Sequence, residues 1–320
     1  MQSALNAPHL INEEAAFAYV EAKLWANGTV CPHCGVVGES TKSQGKTTRM
    51  GLWNCRGCRK PFTVRMGTIF ESSHVPLHIW LQVIYLVCSS KKGISTRQIQ
   101  RTIGGSMKTA WFLGHRIREA MTEANPPIMG GGGGIIEADE TFLGQQATQF
   151  ISGEGWRTKR GTGDMRKIVS VVERGGRVRS MKVDNLRKEE ITRAMDMAAR
   201  DSILSTDAAH HYRRIGREFI GHMTVDHGSG EYGRGEAHTN TIEGVFSIFK
   251  RGMRGIYQHC SEKHLSRYLA EFDFRYSNRI KLGVDDKRRA DIALAGFAGK
   301  RLTYETVSER RRGQEGRIVW

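Results

Sequence analysis

The sequence predicts an α/β protein with a mixed β-sheet in its second half, preceded by a small cysteine-rich region and a helical region. Three observations lead to this prediction. The 320 residues are enough for about two domains. Two Cys-x2-Cys pairs lie between Cys31 and Cys58. After residue 135, apolar strands and amphipathic helices alternate along the chain, which is typical of α/β domains.

The composition indicates a folded chain with an anionic partner. Lys and Arg number 49 against 33 Asp and Glu, a formal charge of +16. This surplus favours nucleic acid as the partner, and a hydrophobic fraction of 39% excludes a wholly disordered chain. We find neither a secretory signal nor an apolar run near the ~20 residues of a membrane span, so we expect a cytoplasmic protein with reduced thiols.

The paired cysteines predict a zinc ribbon within an N-terminal region, residues 1–72, that also holds a helix. Cys31, Cys34, Cys55 and Cys58 form two C-x2-C turns separated by 20 residues, a spacing typical of a tetrahedral Zn²⁺ site. Four thiolates close the coordination shell, so the Zn²⁺ is expected to be structural, although His33 is a competing ligand. Buried thiols that share this spacing by chance are the alternative.

A helix-turn-helix is predicted over residues 73–125. Ser95 and Ser106 are suited to cap two short helices, and Gly104-Gly105 makes the turn between them. An ordinary helical hairpin with a solvated basic face is the alternative. The second helix carries the polar and basic residues that we expect to contact DNA: Lys108, Thr109, His115, Arg116 and Arg118.

The second half, residues 130–282, has the strands and helices of a mixed-sheet domain. Its glycine run, residues 130–134, is interpreted as a flexible boundary. Gly175-Gly176 predicts a hairpin turn, and a later helix begins near Thr239. Residues 283–320 are interpreted as a polar C-terminal tail.

Three acids of this second half are candidate metal ligands. Asp139 and Asp207 lie on or just after separate strands, while Glu243 lies on the later helix with Lys250 seven residues further on the same face. Carboxylates that converge from different elements can bind two Mg²⁺ ions and support phosphodiester chemistry. On spacing alone, solvated or salt-bridged carboxylates are the more common explanation of these acids.

Several motifs resemble one family in the same order along the chain. The sequence resembles the zinc-ribbon, ISXO-like branch of bacterial insertion-sequence DDE transposases over about residues 17 to 282. The shared motifs are Cys31-Pro-His-Cys34, Cys55-Arg-Gly-Cys58, Ile94 to Ile99, Lys108 to Trp111, His115 to Arg118, Glu137-Ala-Asp-Glu-Thr141, Ser205-Thr-Asp207, Asp226-His227, Glu231-Tyr232, His238 to Glu243, Ser247 to Arg251, His264-Leu265, Glu271-Phe272, Arg275-Tyr276 and Asn278-Arg279.

The resemblance implies an RNase H-like catalytic domain that performs metal-dependent DNA strand transfer. By position, Asp139 and Asp207 match the first two catalytic acids. Glu243 is favoured as the third, with Asn240 as its substitute, and Lys250 is expected to face the phosphate backbone. Two Mg²⁺ ions, or Mn²⁺, would then serve cleavage at the element's end and attack on target DNA.

The expected partners are double-stranded DNA, as terminal inverted repeats and target, and at least one further copy of the chain in the active complex. A nucleoid-associated location would follow. Two alternatives stay open at this point: a DNA-binding regulator with an inactive second half, and a metal-dependent nuclease that does not rejoin strands.

Overall fold

The computed structural model describes residues 3–145, 148–153, 155–158, 161–226, 230–231 and 233–300, which divide into two compact units. The first unit joins residues up to 123 with those from 284 onward, and the second comprises residues 124–283. The α/β class with a mixed sheet is confirmed. Within the described ranges, none of the helices has the length and apolar character needed to cross a bilayer.

The first unit contains three short strands and six α-helices among its described residues. Its strands form one antiparallel sheet in the order β1-β2-β3. The elements are α1 (Pro8–Ile11), α2 (Glu13–Leu24), β1 (Ser40–Lys42), β2 (Trp53–Cys55), β3 (Pro61–Phe62), α3 (Leu77–Ser89), α4 (Thr96–Ile103), α5 (Met107–Ala120) and, in the C-terminal segment, α10 (Asp286–Ala295).

Side-chain caps fix the starts of α4 and α5. The Ser95 hydroxyl accepts a hydrogen bond from the Gln98 N–H at 3.1 Å, and the Ser106 hydroxyl accepts one from the Thr109 N–H at 3.0 Å. Each cap satisfies a helix N–H that lacks an intrahelical partner. Gly104 and Gly105 join the helices with positive φ angles of 74° and 79°, which L-residues with a side chain rarely adopt.

The segment that we described as a polar tail begins with a helix that packs into the first unit. α10 contacts α3, and the Arg289 guanidinium donates to the Cys88 carbonyl at 2.8 Å. Leu294 and Phe297 are buried. The sequence analysis overlooked this helix because its first four residues, Asp286 to Arg289, are all charged. Arg310 to Arg312 lie outside the described residues.

The second unit is built on a five-stranded mixed sheet in the order β10-β9-β4-β7-β8. β9 pairs parallel with both β10 and β4, whereas β7 pairs antiparallel with both β4 and β8. A separate hairpin, β5-β6, was not expected from the sequence. The elements are β4 (Ile135–Leu143), β5 (Thr148–Ile151), β6 (Gly155–Thr158), β7 (Arg166–Glu173), β8 (Val178–Val183), α6 (Lys188–Met195), β9 (Ile203–Asp207), α7 (Tyr212–Ile215), β10 (Gly221–Val225), α8 (Asn240–Gly252) and α9 (Leu265–Ser277).

Helices cover both faces of this sheet. Ile136 and Ala138 of β4 pack with Ile191 of α6 and Ile215 of α7 in one core cluster. On the other face, Val172 of β7 packs in a cluster with apolar residues of α8. Alternate residues of a strand point to opposite faces, so β4 contributes side chains to both layers. Residues 137 and 139 therefore share the face covered by α8.

The glycine run before β4 is anchored to the second unit, so the interpretation as a flexible boundary is wrong. The N–H of Gly131 donates to the Ser202 hydroxyl at 2.7 Å, and that of Gly132 donates to an Asp201 carboxylate oxygen at 2.8 Å. A Cβ atom at Gly130 would lie 2.2 Å from Ser202 Oγ, and its φ is +78°. The glycines permit this close approach rather than chain mobility.

Candidate active site and metal centres

The four cysteines of the first unit form one cluster. C-x2-C turns place Cys31 and Cys34 beside Cys55 and Cys58, so that their sulfurs all lie within 4.8 Å of one another. Cys31 Sγ is 3.7 Å from Cys58 Sγ, and Cys34 Sγ is 3.6 Å from Cys55 Sγ. Both separations are far longer than the ~2.05 Å of a disulfide. Trp25, Trp53 and Phe62 pack around the cluster.

These separations fit a tetrahedral metal site. Four sulfurs held at ~2.3 Å from one Zn²⁺ ion lie about 3.8 Å from one another, close to the observed spacing. His33, the competing candidate, is engaged elsewhere, since its Nε2 lies 3.2 Å from the Pro61 carbonyl oxygen. The cluster is therefore a zinc-ribbon type of donor set, with all four positions supplied by cysteine.

The basic residues expected on the second helix of the helix-turn-helix do not share one exposed face. His115, Arg116 and Arg118 are only 1%, 4% and 2% exposed, so the expectation that they form a DNA-contacting face is wrong for these three. Arg116 donates to the carbonyls of Ile69 and Glu71. The 3.6-residue period turns these positions toward the protein interior. Lys108 is exposed and Thr109 is partly exposed.

Two of the three candidate acids are brought together by neighbouring parallel strands. Ile135 of β4 aligns with Ile203 of β9, and the paired register ends at Glu137 and Ser205. Continued by two residues, it places Asp139 beside Asp207. The structure agrees, since the carboxylates of Asp139, Glu140 and Asp207 each offer an oxygen within 4.8 Å of the others. The middle of β4 and the last residue of β9 thus create an acidic site.

The electrostatic environment keeps Asp139 protonated. Burial raises the pKa of its carboxyl to about 8, with further contributions from the charges of Glu140, Asp207 and Glu243. Negative groups packed this closely repel one another unless a proton or a cation lies among them. The chemistry of this donor set therefore fits a divalent cation, because carboxylate oxygens are the ligands that Mg²⁺ prefers.

Glu140 is the member of the cluster that the sequence analysis did not include. Its carboxylate accepts a hydrogen bond from the Tyr212 hydroxyl at 3.0 Å and lies 3.2 Å from His211 Nε2. Alternation along β4 predicts that Glu140 points to the face opposite Asp139, so Glu140 was not considered as a ligand. Its position next to Asp139 was the available signal.

Helix α8 carries the remaining candidates. Glu243 lies outside the carboxylate cluster defined above, but its charge contributes to the raised pKa of Asp139. Its Oε1 accepts a hydrogen bond from the Thr239 hydroxyl at 3.1 Å. Asn240, the first residue of α8, is exposed. The pKa of Lys250 is lowered by burial and by Arg254, while Asp139 opposes this shift, so the ammonium of Lys250 interacts with the acidic site.

A buried carboxylate fixes the start of α8 to the central strand. Glu137 is fully buried, and its oxygens accept from Arg174 Nε at 2.7 Å and from the Ile242 N–H at 3.0 Å. Arg174 also donates to the His238 carbonyl at 2.9 Å, and the Ser205 hydroxyl donates to the same carbonyl at 2.8 Å. Strands β4 and β9, which carry Asp139 and Asp207, thus both anchor the segment that leads into α8.

Comparisons with known proteins agree with this arrangement. Residues 132–277 match the family model of the ISXO2-like transposase domain, and residues 11–61 match that of the transposase zinc-ribbon domain. The chain is also 27% identical over 291 residues to an uncharacterised protein in the transposable element ISH50 of Halobacterium salinarum, covering 83% of this chain and 91% of that protein. The four-cysteine cluster lies in the first matched segment and the carboxylate cluster in the second, so the chain carries a transposase zinc-ribbon domain and an ISXO2-like transposase domain.

Proposed function

We propose that the protein binds the terminal inverted repeats of an insertion sequence and catalyses two-metal cleavage and strand transfer of DNA. The observation that carries this proposal is the approach of Asp139 and Asp207 on neighbouring parallel strands, with α8 anchored beside them. The strand order and the family match also support an RNase H-like fold for the second unit.

We assign the metal-binding and DNA-binding roles as follows. The cysteine cluster would hold a structural Zn²⁺ ion, and Asp139, Asp207 and Glu243 would hold two Mg²⁺ ions, with Mn²⁺ as a substitute. α4 and α5 would form the helix-turn-helix, with Lys108 and Thr109 contacting DNA. Joining two ends of an element requires at least a dimer in the active complex.

The chain's own residues prepare the reaction. When bound, the two ions supply an activated water and neutralise charge on the leaving oxygen. Asp139 holds a proton that it must release before its carboxylate can serve as a ligand. His211 and Tyr212 orient Glu140 at the edge of the site. Lys250, on the same helix as Glu243, would contact a phosphate of the bound strand.

Two reactions at phosphorus are then sufficient: a hydrolysis and a transesterification. Water attacks the phosphorus at the element's end, the bond to the 3′ oxygen breaks, and a free 3′-hydroxyl remains. That hydroxyl attacks a target phosphodiester, forming one P–O bond as another breaks. Neither reaction needs a covalent enzyme intermediate.

The test uses labelled element ends, target plasmid and Mg²⁺. Asp207→Asn should abolish cleavage while leaving end binding intact, because the change removes charge from the metal site but barely alters its volume. Unchanged cleavage would refute the assignment. Cleavage without joined products would favour a nuclease, and binding with no cleavage by the unmodified protein would favour a regulator.

The same assay separates the two candidates for the third position. Glu243→Gln should abolish cleavage and Asn240→Ala should reduce it less. Of these two side chains, only that of Glu243 carries a charge, and this charge acts on Asp139. The reverse order would move the third position to Asn240.

A further inference from the structure

A cleft in the first unit, separate from the cysteine cluster and from the acidic site, has the properties of an anion site. It has a volume of about 500 Å³, within the range of ligand-binding pockets. It is lined on one side by Arg49, Arg65, His74 and Thr63, and by the apolar Phe70. The cleft follows β3, where the chain leaves the ribbon.

Two of the lining residues contain buried polar atoms that have no hydrogen-bond partner among the described residues. They are Thr63 Oγ1 and Arg65 Nε, and Thr63 as a whole is only 2% exposed. Nearly all buried polar groups in folded proteins are paired, so each exception requires an explanation. Both atoms can donate, so an acceptor entering the cleft would satisfy them.

The charges around the cleft include two guanidinium groups. Burial lowers the pKa of Arg65; of the two charges that act on it, Glu13 opposes this shift more strongly than Arg49 adds to it. The terminal nitrogens of the Arg65 guanidinium donate to the carbonyls of Ser73 and Val75.

The acidic groups near the cleft already have donors of their own. Glu71 Oε2 accepts from the Gly67 N–H at 2.9 Å, and the Glu13 carboxylate accepts from the N–H groups of Leu77 and His78. Arg49 and His74 are exposed and contribute their charges from the rim. An oxyanion would reduce the repulsion between Arg49 and Arg65 and accept from the unpaired donors.

We propose that this cleft binds a phosphate group, contributed by the backbone of duplex DNA. The phosphate oxygens would accept from Thr63, Arg65 and Arg49. The DNA source of the phosphate rests on the proposed function, whereas the anion site itself does not.

The first experiment titrates inorganic phosphate into the full-length protein and its variants by isothermal calorimetry. Thr63→Val and Arg49→Ala should each weaken binding about 10-fold or more, and Lys46→Ala, an equal loss of charge on the same loop, should not. Thr63→Val should also raise the melting temperature, because it removes an unpaired buried hydroxyl without changing the side-chain volume much. If Thr63 had only a structural role, Thr63→Val would raise the melting temperature without weakening phosphate binding. No phosphate binding by the parent protein, or equal affinities in all variants, would overturn the proposal.

The second experiment measures affinity for a short element-end duplex by fluorescence anisotropy. Arg49→Ala and Thr63→Val should weaken it, while Lys46→Ala should change it less. If phosphate binding weakens and DNA affinity is unchanged, the DNA source is overturned and a free phosphate occupies the site. Asp207→Asn should retain full phosphate affinity, so a failure of the catalytic assignment is distinguishable from a failure of this one.

Discussion

The carboxyl of Asp139 retains its proton at a pH where an ordinary aspartic acid has lost it. Burial is the main cause, and the neighbouring acids add to it. The proton takes the place that a cation would occupy among these oxygens. Release of the Asp139 proton is therefore coupled to metal binding and to the stability of the second unit.

This link gives a pH-dependent prediction for protein freed of divalent ions by chelation. The folded-state pKa of Asp139 is about 8 against an ordinary value of 3.8, so the folded state binds the extra proton between these values. The free energy of unfolding should therefore fall as pH rises from about 4 to about 8. Asp139→Asn should flatten this decline and be more stable than the parent at pH 8 by at least about 1 kcal/mol, roughly one pKa unit.

Urea unfolding at several pH values checks the prediction, with the exposed Asp164→Asn as the control. Adding Mg²⁺ at pH 8 should stabilise the parent but not Asp139→Asn. Parallel pH profiles for Asp139→Asn and the parent would contradict the prediction.

At the scale of elements, helix α8 owes its position to charge as well as to packing. Glu137 and Arg174 form a buried pair that also binds the helix start through the Ile242 N–H. A carboxylate at a helix N-terminus satisfies an orphan donor and interacts favourably with the helix dipole. The site residues on α8 are thus held by a group on the same strand as Asp139.

We expect Glu137→Gln to destabilise the protein by about 3–5 kcal/mol, because it breaks the pair with the largely buried Arg174 and leaves the exposed Glu236 as the acidic partner of that arginine. The matched control is Glu236→Gln, since Glu236 bonds the same arginine at 3.0 Å but is 77% exposed. Its loss should cost about 0–1 kcal/mol. Chemical denaturation measures both, and equal effects would show that Glu137 does not anchor the helix electrostatically.

The ribbon gives a second prediction at this scale. Cys58→Ala should remove bound zinc and loosen the three-stranded sheet, because so small a core depends on the metal for its stability. Elemental analysis should find about one zinc per chain in the parent and in Cys260→Ser, and little in Cys58→Ala. Retention of zinc by Cys58→Ala would exclude the four-cysteine site.

At the scale of the whole molecule, the proposed DNA binding depends on where the positive charge lies. The formal charge is +16, yet three of the basic residues expected to contact DNA are buried. In the proposed complex, phosphate contacts would therefore come from other surfaces, among which the cleft at Arg49 and Arg65 is a candidate.

DNA affinity should consequently depend steeply on salt. With about 6–10 phosphates neutralised, affinity for an element end should fall by roughly 10³–10⁵ between about 50 and 200 mM salt. Anisotropy titrations at a series of salt concentrations give the slope. A nearly flat dependence would show that the positive charge does not serve backbone binding.

The sequence by itself determined the features that depend on local spacing. The ribbon cysteines, the caps at Ser95 and Ser106 and the hairpin at Gly175-Gly176 all involve residues close together along the chain. Only the tertiary structure decided which surface each side chain faces. It buried Arg116 and Arg118, brought Glu140 to Asp207 and packed α10 with the N-terminal helices. The physical reason is that burial and electrostatic coupling depend on distances between residues remote in sequence, and the three-dimensional packing sets those distances.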